Sequence, residues 1–334
     1  MSTIKVIVHG LGFITLNHHL PVLAKMPEVK VVGVVSRSEK HAKEVAEKYK
    51  AHPYTSLEEA LEKEKPDFVD ICTETFRHKE DALLSINHEV NVFLEKPIAL
   101  KLKDAKEIID AAKRKGVLLM VGHVLRFWPE YVRIKEAVED GKIGEPSIAR
   151  AYRYVPFPAW SFKEWHKDIT KSGGVFVDLS IHDVDFLRWV LGEVDEVFAR
   201  GGVYGIDGTA HTHVHALLKF KNGAIAYVEG SWIIPQSHKF YTYFEIAGSK
   251  GLLTVDYRTT AGLAIYKDDY LMWTPHVRDG YYLELEAFAK AIKTGGESPL
   301  PGEEAMKSLE VTLAAIKSIR EKRPIKLPLE EEVL

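Results

Sequence analysis

Lys96 ends the apolar run Val92-Phe93-Leu94-Glu95-Lys96-Pro97, which reads as a buried strand followed at once by a titratable group. A lysine partly withdrawn from water can have its pKa lowered toward neutrality and then shuttle a proton. Pro97 cannot extend a strand ladder and keeps Lys96 extended, so the side chain is aimed. Far upstream, Val8-His9-Gly10-Leu11-Gly12-Phe13-Ile14-Thr15 follows the first strand and opens a helix. That is where a G-x-G-x-x-G loop cradles pyrophosphate on a helix N-terminus, here through Gly10, Gly12, Phe13 and Ile14. Thr15 replaces the third glycine, which normally lets helix and strand pack closely. A dinucleotide at the loop, with an ammonium near its reactive ring, predicts hydride transfer at a hydroxyl or carbonyl carbon.

The second strand ends at Val35 and runs into Ser36-Arg37-Ser38. An acid there would bind a ribose 2′-hydroxyl and favour NAD. Ser36 and Arg37 instead offer a hydroxyl and a bidentate cation, which suit a 2′-phosphate. NADP is therefore the expected cofactor, with NAD as the alternative.

A second chemical group lies in Gly173-Gly174-Val175-Phe176-Val177-Asp178-Leu179-Ser180-Ile181-His182-Asp183-Val184-Asp185. On one helix, Asp178, His182 and Asp185 share a stripe, while Ile181, Val184, Leu187 and Leu191 face the core. His182 is then a proton carrier oriented by an acid one turn away. Trp160, Trp165, His166 and Lys167 interleave aromatic faces with polar groups, as a polyol or sugar ring requires, and Tyr281 and Tyr282 are further candidates. His78 reads as a helix-start or cofactor-side residue, and Arg126 as a cofactor contact or a brace.

These groups need a scaffold. Residues 1–121 alternate β-branched runs with helical patterns: strands at Val6–Val8, Val29–Val35, Phe68–Cys72, Val90–Leu94 and Val117–Val121, with helices between. Fully apolar strands in βαβ alternation predict a doubly wound parallel sheet of the Rossmann kind, an α/β dinucleotide-binding domain. Residues 122–334 form the expected second, α+β domain. It has helices at Glu130–Glu139 and Val177–Leu191, a β-rich stretch from Val194 to Tyr266, and two helices near the end. The turns Lys221-Asn222-Gly223 and Ser249-Lys250-Gly251 predict an open, mostly antiparallel sheet.

Composition removes other classes. The 334 residues carry 45 basic and 48 acidic side chains, a formal charge of -3, so no nucleic-acid or membrane-surface partner is expected. No apolar run approaches the roughly 20 residues that cross a bilayer. The chain opens directly into strand-like Ile4–Val8, so no signal peptide is expected. Cys72 is the single cysteine, which fits a cytoplasmic protein and a small core side chain. One Gln, four Asn, 32 Lys and 32 Glu make the composition expected of a heat-adapted source.

Glu95-Lys96-Pro97, Gly122-His123-Val124-Leu125-Arg126-Phe127 and Gly173-Gly174 through Asp178 and His182 resemble the Gfo/Idh/MocA oxidoreductase family in order and spacing over nearly the whole chain. The resemblance implies that Lys96, Asp178 and His182 act on substrate, and that the open sheet serves as a homo-oligomer interface. Thr15 departs from the pattern, as does Thr73-Glu74-Thr75, where a Thr-Pro pair is usual; both touch the cofactor loops. The function expected is NAD(P)-dependent transfer of a hydride to or from a secondary alcohol of a sugar, cyclitol or related polyol.

Three other readings compete. A cofactor-binding sensor without turnover would use the same scaffold, though it would not need Lys96, Asp178 and His182 together. A glycosidase using transient oxidation would keep its cofactor bound. His211, His213 and His215 alternate on one strand face and could hold a metal, but a polar sheet face explains them more simply, and no metal is expected.

Overall fold

The computed structural model describes residues 3–238, 240–256 and 279–334, together with the backbone of 263–266 and 270–273. It divides into two compact units, Met1–His123 with Asp279–Met306, and Val124–Arg278 with Lys307–Leu334.

In the first unit the uniformly apolar runs pair in parallel, as strands buried on both faces must. Ile4–His9 (β1), Val29–Val35 (β2), His52–Tyr54 (β3), Phe68–Ile71 (β4), Asn91–Glu95 (β5) and Leu119–Gly122 (β6) lie in the order β3-β2-β1-β4-β5-β6. The order reverses between β1 and β4, so the crevice outside their carboxyl ends is where this fold takes a ligand. Helices Glu39–Tyr49 and Leu102–Lys115 lie between strands, as expected. The short β3 and helix Leu57–Glu64 were not anticipated, although Leu57, Ala60 and Leu61 carry the i, i+3, i+4 spacing of a helix.

The chain returns to the first unit near its end. Helix Gly280–Thr294, assigned above to the second domain, packs on the first sheet, with Phe288 edge-on to Phe68 and Phe93 at ring distances of 5.4 and 5.8 Å. Ser298 donates to the Leu119 carbonyl at 2.8 Å, and Pro301 bridges to Met120. A boundary read along the sequence cannot register such a return.

The second unit holds a mixed sheet of Pro146–Pro156 (β7), Val194–Gly202 (β8), His213–Phe220 (β9), Ile225–Ile234 (β10), Tyr241–Gly248 (β11), Gly251–Asp256 (β12), Leu263–Tyr266 (β13), Tyr270–Trp273 (β14) and Ile325–Lys326 (β15). The order is β14-β13-β12-β11-β7-β10-β9-β8-β15. Only the β7–β10 pair is parallel among the described residues. Residues 257–262 of the expected β stretch lie outside the described residues. One face is covered: Val184, Phe186 and Leu187 of helix Ile181–Leu191 are fully buried, as are Val228 and Phe244 of the sheet. The other face exposes Ile148, Leu217 and Ile225. No described helix is long and apolar enough to cross a membrane.

Candidate active site

The glycine loop leaves β1 at the switch point. Gly10 has φ +92°, and a Cβ there would meet the Cys72 carbonyl oxygen at 2.6 Å, so the loop's approach to the end of β4 requires glycine. At Gly12 a Cβ would find nothing within 4 Å. That open, exposed backbone beside a helix start is what a pyrophosphate needs. Leu11 is held from behind, its carbonyl 3.1 Å from His41 Nε2. Phe13 is exposed and Ile14 half-buried.

Thr15 is accommodated by a change in the helix rather than by a loosened contact. Its hydroxyl donates to the Gly10 carbonyl at 2.5 Å, and Thr15–His19 forms a wide π-turn, with the Leu20 N–H bonded to the Thr15 carbonyl. π-turns recur at functional positions. This one carries His19 into the core, where it is fully buried.

The neighbouring loops complete the switch-point rim. Ser36 is half-buried and its hydroxyl accepts from the Ser38 N–H. Arg37, half exposed, pairs with Glu74. Thr73 donates to Asp81 at 2.7 Å, and the same carboxylate takes Arg77 at 2.9 Å. Burial opposes the Asp81 charge, but His9, Thr73 and Arg77 outweigh it and hold its pKa below the usual value. His78 is buried, with Nδ1 2.8 Å from the Pro97 carbonyl and Nε2 3.1 Å from that of Thr73. It therefore ties the loop after β4 to the turn after β5, and burial lowers its pKa.

Lys96 follows β5 directly and is half-buried. Its backbone N–H donates to Glu95 Oε2 at 3.0 Å, while Glu95 Oε1 lies 3.1 Å from His19 Nε2. Gly122 on β6 leaves room for this carboxylate, since a Cβ there would come within 3.2 Å of it. His19 Nδ1 lies 3.0 Å from both oxygens of Asp70, and the Cys72 sulfur is 3.4 Å from the same nitrogen. Burial works against the imidazolium, but Asp70 outweighs it and raises the His19 pKa well above its usual value. Burial likewise opposes the Glu95 charge, yet His19 and Lys96 bring its pKa down. Burial and the Asp70 and Glu95 charges push the Cys72 thiol up to about 12 against the opposing pull of His19, so it stays a neutral thiol. Tyr282 belongs to this unit, in the first turn of its helix, with its N–H capped by Asp279 at 2.9 Å.

In the second unit the expected continuous helix is broken. Val175–Asp178 and Ile181–Leu191 are separate helices, so Asp178, His182 and Asp185 do not share one helical stripe. Gly174, at φ +77°, fixes where the first of them begins: a Cβ there would press on the His211 backbone at 3.0 Å, and the Val175 N–H bonds the His211 carbonyl at 2.8 Å. Asp185 is spent structurally, taking Arg126 at 2.7 and 2.8 Å and the Ser308 hydroxyl at 2.8 Å. Arg126 is thus an internal brace of this unit. Asp183 is fully buried against Arg153 in the same two-point manner. Asp178 and His182 remain half-buried, and Asp178 Oδ2 lies 3.9 Å from His166 Nε2. His166 is stacked on Trp165 with ring centroids 3.8 Å apart. The structure therefore gathers Asp178, His166 and Trp165 into one polar–aromatic group.

His213 and His215 do share a face of β9, their Nε2 atoms 2.7 Å apart; His215 continues through Tyr227 to Glu229. His211 lies before the strand.

Sequence reasoning missed His19, Asp70 and Glu284. Glu284 left a signal: it interrupts the apolar stripe of its helix beside Leu285 and one turn before Phe288.

Comparison with known proteins accords with this arrangement. Residues 4–123 match the model of an oxidoreductase family with an NAD-binding Rossmann fold, and residues 135–327 match that family's C-terminal alpha/beta domain. The chain belongs to this family. It is an NAD(P)-dependent oxidoreductase acting on CH–OH groups. It is 35% identical to the myo-inositol 2-dehydrogenase of Thermotoga maritima, over 84% of this chain and 85% of that protein. It is 29% identical to the scyllo-inositol 2-dehydrogenase (NAD(+)) of Bacillus subtilis, covering 97% and 96% respectively. The crystal structure of GenD2 from gentamicin A biosynthesis, in complex with NAD, superposes with a TM-score of 0.88 at 26% identity, covering 98% of this chain and 97% of that one.

Proposed function

We propose that this oxidoreductase interconverts a secondary alcohol and a ketone on a cyclitol, sugar or related polyol, using NADP in preference to NAD. The observation that carries the reading is the turn after β5. Lys96 leaves the carboxyl edge of the parallel sheet with its backbone gripped by Glu95, two strands from the glycine loop. The inositol dehydrogenase relatives support the substrate class.

The loop residues Gly10, Gly12, Phe13 and Ile14 hold the dinucleotide, with Ser36 and Arg37 at its ribose and Thr73 and His78 shaping the opposite rim. When bound, the nicotinamide supplies or accepts the hydride. Lys96 and His182 handle the hydroxyl proton, and Asp178 orients the imidazole. Trp165, His166 and Tyr282 take up the rest of the ring.

Ile148, Leu217 and Ile225, 48%, 47% and 52% exposed on one sheet face, support a homo-oligomer formed through that sheet. A heat-adapted cytoplasmic protein remains the reading of the composition.

A panel of inositols, sugars and sugar nucleotides, offered with each dinucleotide and followed at the reduced-nicotinamide absorbance band, tests the function. Reduction with a cyclitol or sugar supports it. Silence across the panel with both dinucleotides overturns it.

A further inference from the structure

Glu284 is fully buried, and among the described residues neither of its carboxyl oxygens has a hydrogen-bonding partner. One of them lies in a cluster with His19 and Glu95, their ligand atoms all within 4.8 Å of one another. Such a group in a dry site must be compensated, because an isolated buried carboxylate is far too costly to persist. We propose that Glu284 is a neutral carboxylic acid and that Glu284, His19 and Asp70 form a clamp around Glu95 that positions the Lys96 turn. The inference rests on the reaction assigned above to Lys96.

Glu95 is held at both oxygens, one by His19 and one by the Lys96 N–H. His19 is itself anchored at its other nitrogen by Asp70. Both imidazole links are buried and the link to Lys96 is half-buried, so the start of the lysine turn inherits its geometry from the imidazole. The groups facing Glu284 are Glu95 on β5, His19 on the π-turn, Asp70 on β4, and Asp279 at the start of its own helix. Beyond them lie the Cys72 thiol, the Lys96 ammonium acting on Glu95, and His18, stacked on Tyr281 at 4.4 Å. Three carboxylates around one imidazolium leave a negative excess. A second anion beside His19 Nε2 would compete with Glu95 for its proton. Keeping Glu284 protonated leaves His19 Nε2 to Glu95 alone. Burial and the Glu95 charge raise the Glu284 pKa well above its usual value, in the same direction.

Glu284 is thus a positioning residue, and its isostere should serve in its place. Glu284→Gln is neutral at every pH and rescues the turnover that Glu284→Ala loses. The alanine variant drops kcat by about 10- to 100-fold, the range for displaced catalytic groups, with dinucleotide affinity unchanged. Infrared difference spectra of wild type against Glu284→Gln show a buried carboxylic-acid band at neutral pH. Absence of that band, turnover in Glu284→Gln as poor as in Glu284→Ala, or a stoichiometric metal ion lost on the Gln substitution would each overturn the proposal. The infrared band does not depend on turnover. It survives if Lys96 proves dispensable, so the failures of the two readings are distinguishable.

Discussion

His19 and Asp70 meet side-on in the core, one imidazole nitrogen equidistant at 3.0 Å from both carboxylate oxygens, with neither residue exposed. Because the other nitrogen faces Glu95, this pair couples the helix after the glycine loop to the strand that carries Lys96. Cofactor loop and lysine turn therefore share one buried polar network.

That network makes stability depend on pH in a definite sense. His19, raised from 6.5, and Glu284, raised from 4.5, hold their protons more tightly when folded. Their contributions are present below those reference values and are lost as pH climbs through the raised ones. Glu95, lowered from 4.5, and Asp81, lowered from 3.8, stabilise above those values and lose their effect as pH falls through the lowered ones. Thermal melts across pH should therefore show Tm declining toward both extremes, with Glu284→Gln flattening the alkaline side. A Tm that climbs steadily above pH 6.5 would contradict the assignment of His19.

The two loop glycines should fail differently. Gly10→Ala forces a positive φ and a clash with the Cys72 backbone just past β4, and should destabilise the fold by about 1–3 kcal/mol. Gly12→Ala has room, so its melting temperature stays near wild type while dinucleotide affinity drops roughly tenfold, or about 1.4 kcal/mol. Calorimetric titration beside thermal melts separates them; equal loss of stability in both would refute the distinction.

Arg37 should decide between the dinucleotides. Removing its guanidinium in Arg37→Ala is expected to cut kcat/KM for NADP by about tenfold or more, as loss of one charge-assisted contact does, and to spare NAD. Wild-type preference for NAD, or an equal loss with both, counts against NADP.

His182→Asn should lower turnover by about 100-fold and remove one limb of the kcat–pH profile, while dinucleotide binding persists. An unchanged pH profile would show that another group moves the proton.

Much of this was legible from residue order. β-Branched runs without alternation announced the parallel sheet, and the turns at Asn222-Gly223 and Lys250-Gly251 announced the open one. Glu95, Lys96 and His182 stood out through their motifs. The split of the 175–191 helix was hidden, because 3.6-residue periodicity carries no sign of the turn at Leu179 and Ser180. The role of Asp185 was hidden for a related reason: an acid on a polar stripe looks alike whether it meets water or a buried guanidinium. His19 escaped notice because only the π-turn, a response to Thr15, directs it inward.

The central claim is that Lys96 handles the substrate's hydroxyl proton. Steady-state turnover of Lys96→Ala, with dinucleotide binding measured on the same sample, tests it most directly. The account predicts a fall in kcat of about 100-fold or more with binding intact. Turnover near the wild-type rate would contradict it.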